Sequence, residues 1–156
     1  MNISTSVDVL VVDDRDSDAE LTMFALRREV SGARLLRLKD GEQALNFVFR
    51  SQAFSDRTPG LPRLILLDLE TPIIGGLEML ETLHRDTEAR NIPTVVLSSS
   101  SNPLAIERSY ELGARGYIVK PHDFACYCTE VERVAEEWCI ERERVYAQLI
   151  SAPCIA

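Results

Sequence analysis

Basic residues are in short supply in this sequence. Its 17 Lys and Arg stand against 25 Asp and Glu, for a formal net charge of −8 and a pI near 4.8. No segment carries a basic stripe, so direct binding to the phosphate backbone of nucleic acid is not expected. Histidine is scarcer still. His84 and His122 are the only two; both read as surface or helix-cap residues, which argues against a histidine-dependent hydrolase. No apolar run is long enough to cross a bilayer, so membrane insertion is not expected. Met1 to Ser6 lacks the charged and apolar regions of a secretion signal, which places the expected location in the cytoplasm. Cysteine is missing before position 126. Cys126, Cys128, Cys139 and Cys154 show no metal-type spacing and read as reduced, partly buried thiols, with Cys126 and Cys128 on different helix faces.

What is present suits one globular domain. The chain has 156 residues, 46% hydrophobic and 27% charged, enough to bury a substantial core. Apolar runs rich in β-formers alternate with helical patterns. Val7 to Val12 reads as a strand running into Asp13-Asp14, and Asp16 to Glu29 as a helix stopped by Ser31-Gly32. Ala33 to Leu38 is a second strand, and Asp40-Gly41 opens a helix through Arg50. Ser51 to Pro62 reads as a polar loop. Leu64 to Leu67, apolar without alternation, fits a strand covered on both faces and ends at Asp68. A helix over Gly76 to His84 and a strand over Thr94 to Leu97 follow. Asn102-Pro103 then starts a helix to Leu112, Gly116 to Val119 forms the fifth strand, and Lys120-Pro121 leads into a long last helix. Five strands alternating with helices indicate an α/β fold with a parallel sheet covered on both sides.

Ligands of such sheets bind beyond the carboxyl ends of the strands. Those ends carry Asp13 and Asp14, Asp68, Ser98 and Lys120. Three carboxylates crowded together repel one another unless a cation neutralises them, and a hard divalent ion with oxygen ligands, Mg²⁺ above all, is the economical choice.

An acidic pair after the first strand, Asp after the third, Ser after the fourth and Lys-Pro after the fifth, in order over residues 7 to 138, resemble the receiver domain of two-component response regulators. The set is far more specific than any one of its members. The resemblance implies a flavodoxin-like (CheY-like) doubly wound five-stranded parallel sheet, order 2-1-3-4-5, with helices on both faces. It implies that Asp68 takes a phosphoryl group from the phosphohistidine of a sensor histidine kinase. Mg²⁺ would be held by Asp14 and Asp68, by Asp13 through water, and by the backbone carbonyl of Glu70. Lys120 would stabilise the phosphoryl oxygens, Ser98 would hydrogen-bond the new group, and Tyr117 would be the switch aromatic. Pro121 would follow a cis bond.

Taken singly, each residue has a plainer reading. Asp13-Asp14 could cap the next helix, Asp68 could be a turn residue and Lys120 a surface lysine. Ser98 to Ser101 could be a polar loop, and Tyr117 ordinary packing. Other motifs fit less well. Asp14 to Asp18 looks like a calcium loop, but Ala19 stands where Gly is required and Ala25 where the bidentate Glu should be. A haloacid-dehalogenase-like phosphatase would use the same Asp-x-Asp but leaves Asp68 without a task. The other alternative is a degenerate receiver acting as a phosphorylation-independent scaffold. Two departures from the family pattern stand out. Gly75-Gly76 replaces the usual Asp-Gly, implying a looser turn, and Glu70 and Ser100 occupy positions that tune dephosphorylation.

The receiver is expected to cover residues 1 to 138, and 139 to 156 to form a C-terminal helical extension with no separate output domain. Phe124, Tyr127, Val131, Val134 and Trp138 form one apolar stripe, continued by Val145 and Leu149. Beyond the domain's own core, Val145, Tyr146 and Leu149 suggest a self-association or partner surface. The long loop before the third strand and the extended last helix resemble single-domain regulators that act with bacterial phytochromes. That likeness implies a homodimer and a bacteriophytochrome kinase as the upstream partner.

Overall fold

A computed structural model describes residues 6–140. The strands are β1 (Val9–Val12), β2 (Leu35–Leu38), β3 (Leu64–Leu67), β4 (Thr94–Ser98) and β5 (Gly116–Val119). The helices are α1 (Asp16–Glu29), α2 (Gly41–Val48), α3 (Gly76–Arg85), α4 (Pro103–Glu111) and α5 (Phe124–Ala135). All strand pairs are parallel, in the order β2-β1-β3-β4-β5, the order expected from the sequence.

The strands are apolar without alternation because both faces are covered. Leu10 and Val12 of β1 face a cluster with Phe47, Met79 and Leu80 from α2 and α3. Val9 and Val11 face Leu26, Val131 and Val134 from α1 and α5. Three of the helices start at a capping side chain. Asp40 accepts from the Gln43 amide, Asn102 from Leu104 and Asp123 from Cys126. Gly32, with φ of 87°, takes the left-handed turn that ends the α1 segment.

The segment expected as a polar loop is organised around a buried cation. Arg57 is 3% exposed. Its guanidinium donates to the carbonyls of Phe47 and Val48 at the end of α2 and to those of Thr58 and Gly60. It also lies 4.3 Å from the Phe47 ring centroid. Unsatisfied helix-end carbonyls and an aromatic face replace a carboxylate as its partners.

The last helix departs from expectation in two ways. Tyr127, Val131 and Val134 are buried as the stripe requires, and Trp138 packs on their cluster. Phe124, however, points outward at 59% exposed, its ring 6.0 Å from that of Phe24. It stands at the first helical position, where the sheet no longer lies beneath it. Regular α-helix also gives way to a π-helical turn over Glu136–Ile140. Val145, Tyr146, Leu149 and Cys154 lie outside the described residues. Cys128 and Cys139 are buried while Cys126 is exposed, so the two neighbouring thiols do face different ways.

At the amino edge of the sheet, Asp8 joins three strand entries. Arg34 donates to it through its backbone amide and guanidinium at 2.8 to 3.0 Å, and Arg63 lies 3.7 Å away. Burial opposes ionisation of Asp8, but the Arg34 hydrogen bonds and the charges of Arg34 and Arg63 outweigh it. Its pKa falls below the ordinary 3.8. An acid depressed in the folded state stabilises fully above its ordinary pKa and loses that contribution as pH falls through the folded value. Because the arginines are half exposed, Asp8→Asn should cost only about 1 kcal/mol at neutral pH. In urea unfolding, the gap to wild type should close as pH drops below 3.8; a gap that persists in acid would point to a packing effect instead.

The turn after β3 sets a second test. A Cβ on Gly76 would lie 2.6 Å from Leu69 Cα and 2.8 Å from the Asp68 carbonyl oxygen, both backbone atoms. Gly75 meets nothing closer than 3.9 Å and begins α3 without a side-chain cap, as expected where the usual Asp is missing. Gly76→Ala should cost roughly 1–3 kcal/mol through overpacking. Gly75→Asp should gain a few tenths of a kcal/mol through capping. Equal effects of the two substitutions in denaturant titration would contradict this account.

Candidate functional site

The parallel sheet brings the ends of β1, β3, β4 and β5 to one rim, and three acids there share one ammonium. Lys120, just past β5, donates to Asp13 Oδ2, Asp18 Oδ2 and Asp68 Oδ2, each at 2.9 Å. Its side chain is 8% exposed, and those of Asp13 and Asp68 are 4% and 5% exposed. The lysine backbone is fixed by its own amide, which donates to the Ser98 carbonyl at 2.7 Å.

Each buried carboxylate has a second donor. Asp13 Oδ1 accepts from the Arg15 amide at 2.9 Å, and Asp68 Oδ1 from the Glu70 amide at 3.0 Å. Burial nevertheless pushes the Asp13 carboxyl above its ordinary range. The Arg15 amide and Lys120 pull it down, while the charge on Asp68 adds to the rise. For Lys120, burial would lower the pKa, but the bonds to Asp18, Asp68 and Asp13 prevail and hold it above the ordinary 10.5. A lysine raised in the folded state contributes fully below its ordinary pKa and loses that contribution only as pH climbs through the raised one. It therefore stays an ammonium across the neutral range.

One oxygen from each of Asp13, Asp14 and Asp68 lies within 4.8 Å of the others. Asp14 is exposed, so the group opens to solvent. Three hard carboxylate oxygens with an open side suit a Mg²⁺-like or Ca²⁺-like cation rather than a soft metal. The donor set fits the ion expected from the sequence. The Glu70 side chain is exposed and stands outside this group.

Ser98 is fully buried at the end of β4, its hydroxyl accepting from the Ser100 amide at 3.2 Å. Tyr117 leans on the α2–α3 side of the core, and its hydroxyl donates to the Ser100 carbonyl at 2.7 Å. Ser98 and Tyr117 thus meet at Ser100. The expected cis bond before Pro121 is not formed, since the described residues contain no cis peptide. Trans is the intrinsically favoured isomer by about 0.5–1 kcal/mol, and Lys120 reaches all three carboxylates with it.

Sequence reasoning missed Asp18. In a linear reading it is simply an acid in the first turn of a helix, where the macrodipole favours it. Its spacing of four from Asp14 carries no hint of a lysine more than a hundred residues away.

Lys120→Met should strand three acids and lower stability at pH 7 by roughly 3 kcal/mol. The loss should shrink as the pH falls and Asp13, whose carboxyl burial already pushes up, takes on a proton in the variant. A loss under about 1 kcal/mol at every pH would show that the ammonium does not hold the rim together.

Residues 9–132 match the family model described as the response regulator receiver domain. "Probable methanogenesis regulatory protein FilR2" of Methanothrix harundinacea is 35% identical over 130 residues, 83% of this chain and 82% of its own length. Response regulator Rcp1 of Synechocystis sp. is 31% identical over 130 residues, 83% of this chain and 87% of its own length. The Mn²⁺-bound form of Rcp1 superposes with a TM-score of 0.79 at 28% identity, covering 86% of this chain and 96% of that one. The phosphorylated cyanobacterial phytochrome response regulator RcpA gives a TM-score of 0.81 at 28% identity, covering 88% and 96%.

Proposed function

The chain belongs to the response regulator receiver domain family, a signalling family rather than one of conventional enzymes, and on that premise we propose that Asp68 is its phosphoryl acceptor. One observation carries the reading: Asp68 is a buried carboxylate held between the Lys120 ammonium and the Glu70 amide, beside two further acids within reach of one cation. A haloacid-dehalogenase-like phosphatase or an inert scaffold gives no reason for that arrangement.

The donor is a phosphohistidine on a sensor histidine kinase. Asp68 attacks phosphorus, the phosphorus–nitrogen bond breaks, and the electron pair leaves on the imidazole, which takes up a proton. Asp14 and Asp68 by side chain, Asp13 through water and the Glu70 backbone carbonyl would hold Mg²⁺, which would supply positive charge beside the transferring group. Lys120 follows the charge from Asp68 Oδ2 onto a phosphoryl oxygen. Ser98 donates its hydroxyl proton to the same group, and the loop through Ser100 carries Tyr117 with it. The output is a repacked face of α4, β5 and α5, where Leu104 and Tyr110 are exposed.

The upstream kinase is of the bacteriophytochrome type. This rests on the names borne by RcpA and other structural neighbours, among them the bacteriophytochrome response regulators RtBRR and AtBRR. The chain acts in the cytoplasm through protein contacts, consistent with its net charge of −8 and with the absence, among the described residues, of a helix long and apolar enough to cross a membrane. Residues 1–138 form the receiver, and the extension over 139–156 serves homodimerisation.

Acetyl phosphate with Mg²⁺ should add one phosphoryl group to the wild type and none to Asp68→Asn, read by intact mass. Transfer from a phosphorylated bacteriophytochrome kinase should show the same dependence. Addition to the Asn variant, or none to the wild type from either donor, would overturn the assignment.

A further inference from the structure

The acids at the rim fall into two groups. Asp13, Asp14 and Asp68 crowd together, whereas Asp18 is not part of that group; among the described residues its carboxylate meets Lys120 at 2.9 Å and Arg15 at 3.9 Å. An ammonium has three N–H bonds, and all three are spent on carboxylates. When Asp68 becomes an acyl phosphate, one of the three must turn to the new group. Its direction is then fixed by whatever holds the other two.

We propose that Asp18 is a positioning residue for phosphoryl transfer: with Asp13 it anchors two of the Lys120 N–H bonds, so that the third points at Asp68 and at the phosphoryl oxygen formed there. The inference rests on the receiver reading and extends it to a residue outside the acidic group.

Asp18 is well supported for such a task. The Thr22 hydroxyl donates to the Asp18 carbonyl at 2.9 Å and so spends its one proton. The buried bond of 2.8 Å between Thr22 and Tyr127 must therefore be donated by the tyrosine. The first turn of α1 is thereby tied to α5 by a polar link that water does not reach. A carboxylate mounted on a rigid turn can aim a flexible lysine stem, whose rotamers would otherwise spread its ammonium over the rim.

The test uses the full chain with Asp18→Ala, which removes the anchor, and Asp18→Asn, which keeps an acceptor oxygen. At saturating Mg²⁺, the rate of acetyl phosphate labelling should fall about tenfold in Asp18→Ala, the scale of one charge-assisted hydrogen bond, and less in Asp18→Asn. A second readout does not depend on phosphorylation. A Lys120 ammonium clamped by three acids should give a protected ¹⁵N–¹H signal in the wild type. The signal should survive in Asp18→Asn and broaden in Asp18→Ala, with thermal unfolding showing that both variants are folded. A persistent signal in Asp18→Ala, or labelling within twofold of wild type, overturns the positioning role. A protected signal that depends on Asp18 in a wild type that accepts no phosphoryl group would instead leave the clamp standing and overturn the receiver chemistry.

Discussion

Carboxylates at the rim of a parallel sheet cannot lie close together in a half-dry environment without a compensating cation, and the rest of the site follows from how this protein provides one. Lys120 sits among Asp13, Asp18 and Asp68 with its ammonium fully used. Desolvating such groups costs several kcal/mol per ion, and only close geometry with every donor engaged offsets that. The fold supplies the geometry through topology. Asp13 follows β1, Asp18 lies in the first turn of α1, Asp68 follows β3 and Lys120 follows β5, so three segments distant in sequence converge only when the sheet is complete. The amides of Arg15 and Glu70 satisfy the outward oxygens of Asp13 and Asp68. Asp14, exposed and without a bond to the lysine, leaves the rim short of positive charge and able to take a divalent cation.

The same economy explains how a local charge change can be felt elsewhere. Ser100 donates its amide to Ser98 and accepts the Tyr117 hydroxyl with its carbonyl. Ser98 and the Tyr117 ring, which rests on the core, are therefore joined through a single residue, so that a movement of Ser98 would reach the ring in two hydrogen bonds. On the opposite face, the Thr22–Tyr127 bond ties α1 to α5 behind the lysine. Both links are short and polar, and each involves a group that burial would otherwise leave unsatisfied.

Much of this was legible in the sequence. The strands β3 and β5 begin and end where their apolar runs do, and the helix starts at Asp40 and Asn102 follow from side chains able to cap. Asp13, Asp68 and Lys120 were legible because strand-end placement is a topological rule. Other features depended on tertiary partners. Asp18 has a meaning only once β5 is laid beside β1 and β3. Arg57 looked like loop polarity until the end of α2 turned its carbonyls inward. Phe124 fitted the helical stripe by spacing but lies beyond the sheet that buries the others. The cis bond before Pro121 belonged to the resemblance alone, and the local geometry does without it.

The most direct test of the account is the structure of the protein with Mg²⁺ and beryllofluoride, which forms a stable stand-in for the phosphoryl group on a carboxylate. The account predicts beryllofluoride on Asp68, the cation among Asp13, Asp14 and Asp68, and Lys120 still bonded to Asp13 and Asp18 while its third N–H contacts a fluorine. Beryllofluoride bound elsewhere, or a Lys120 that abandons Asp13 and Asp18 together, would contradict it.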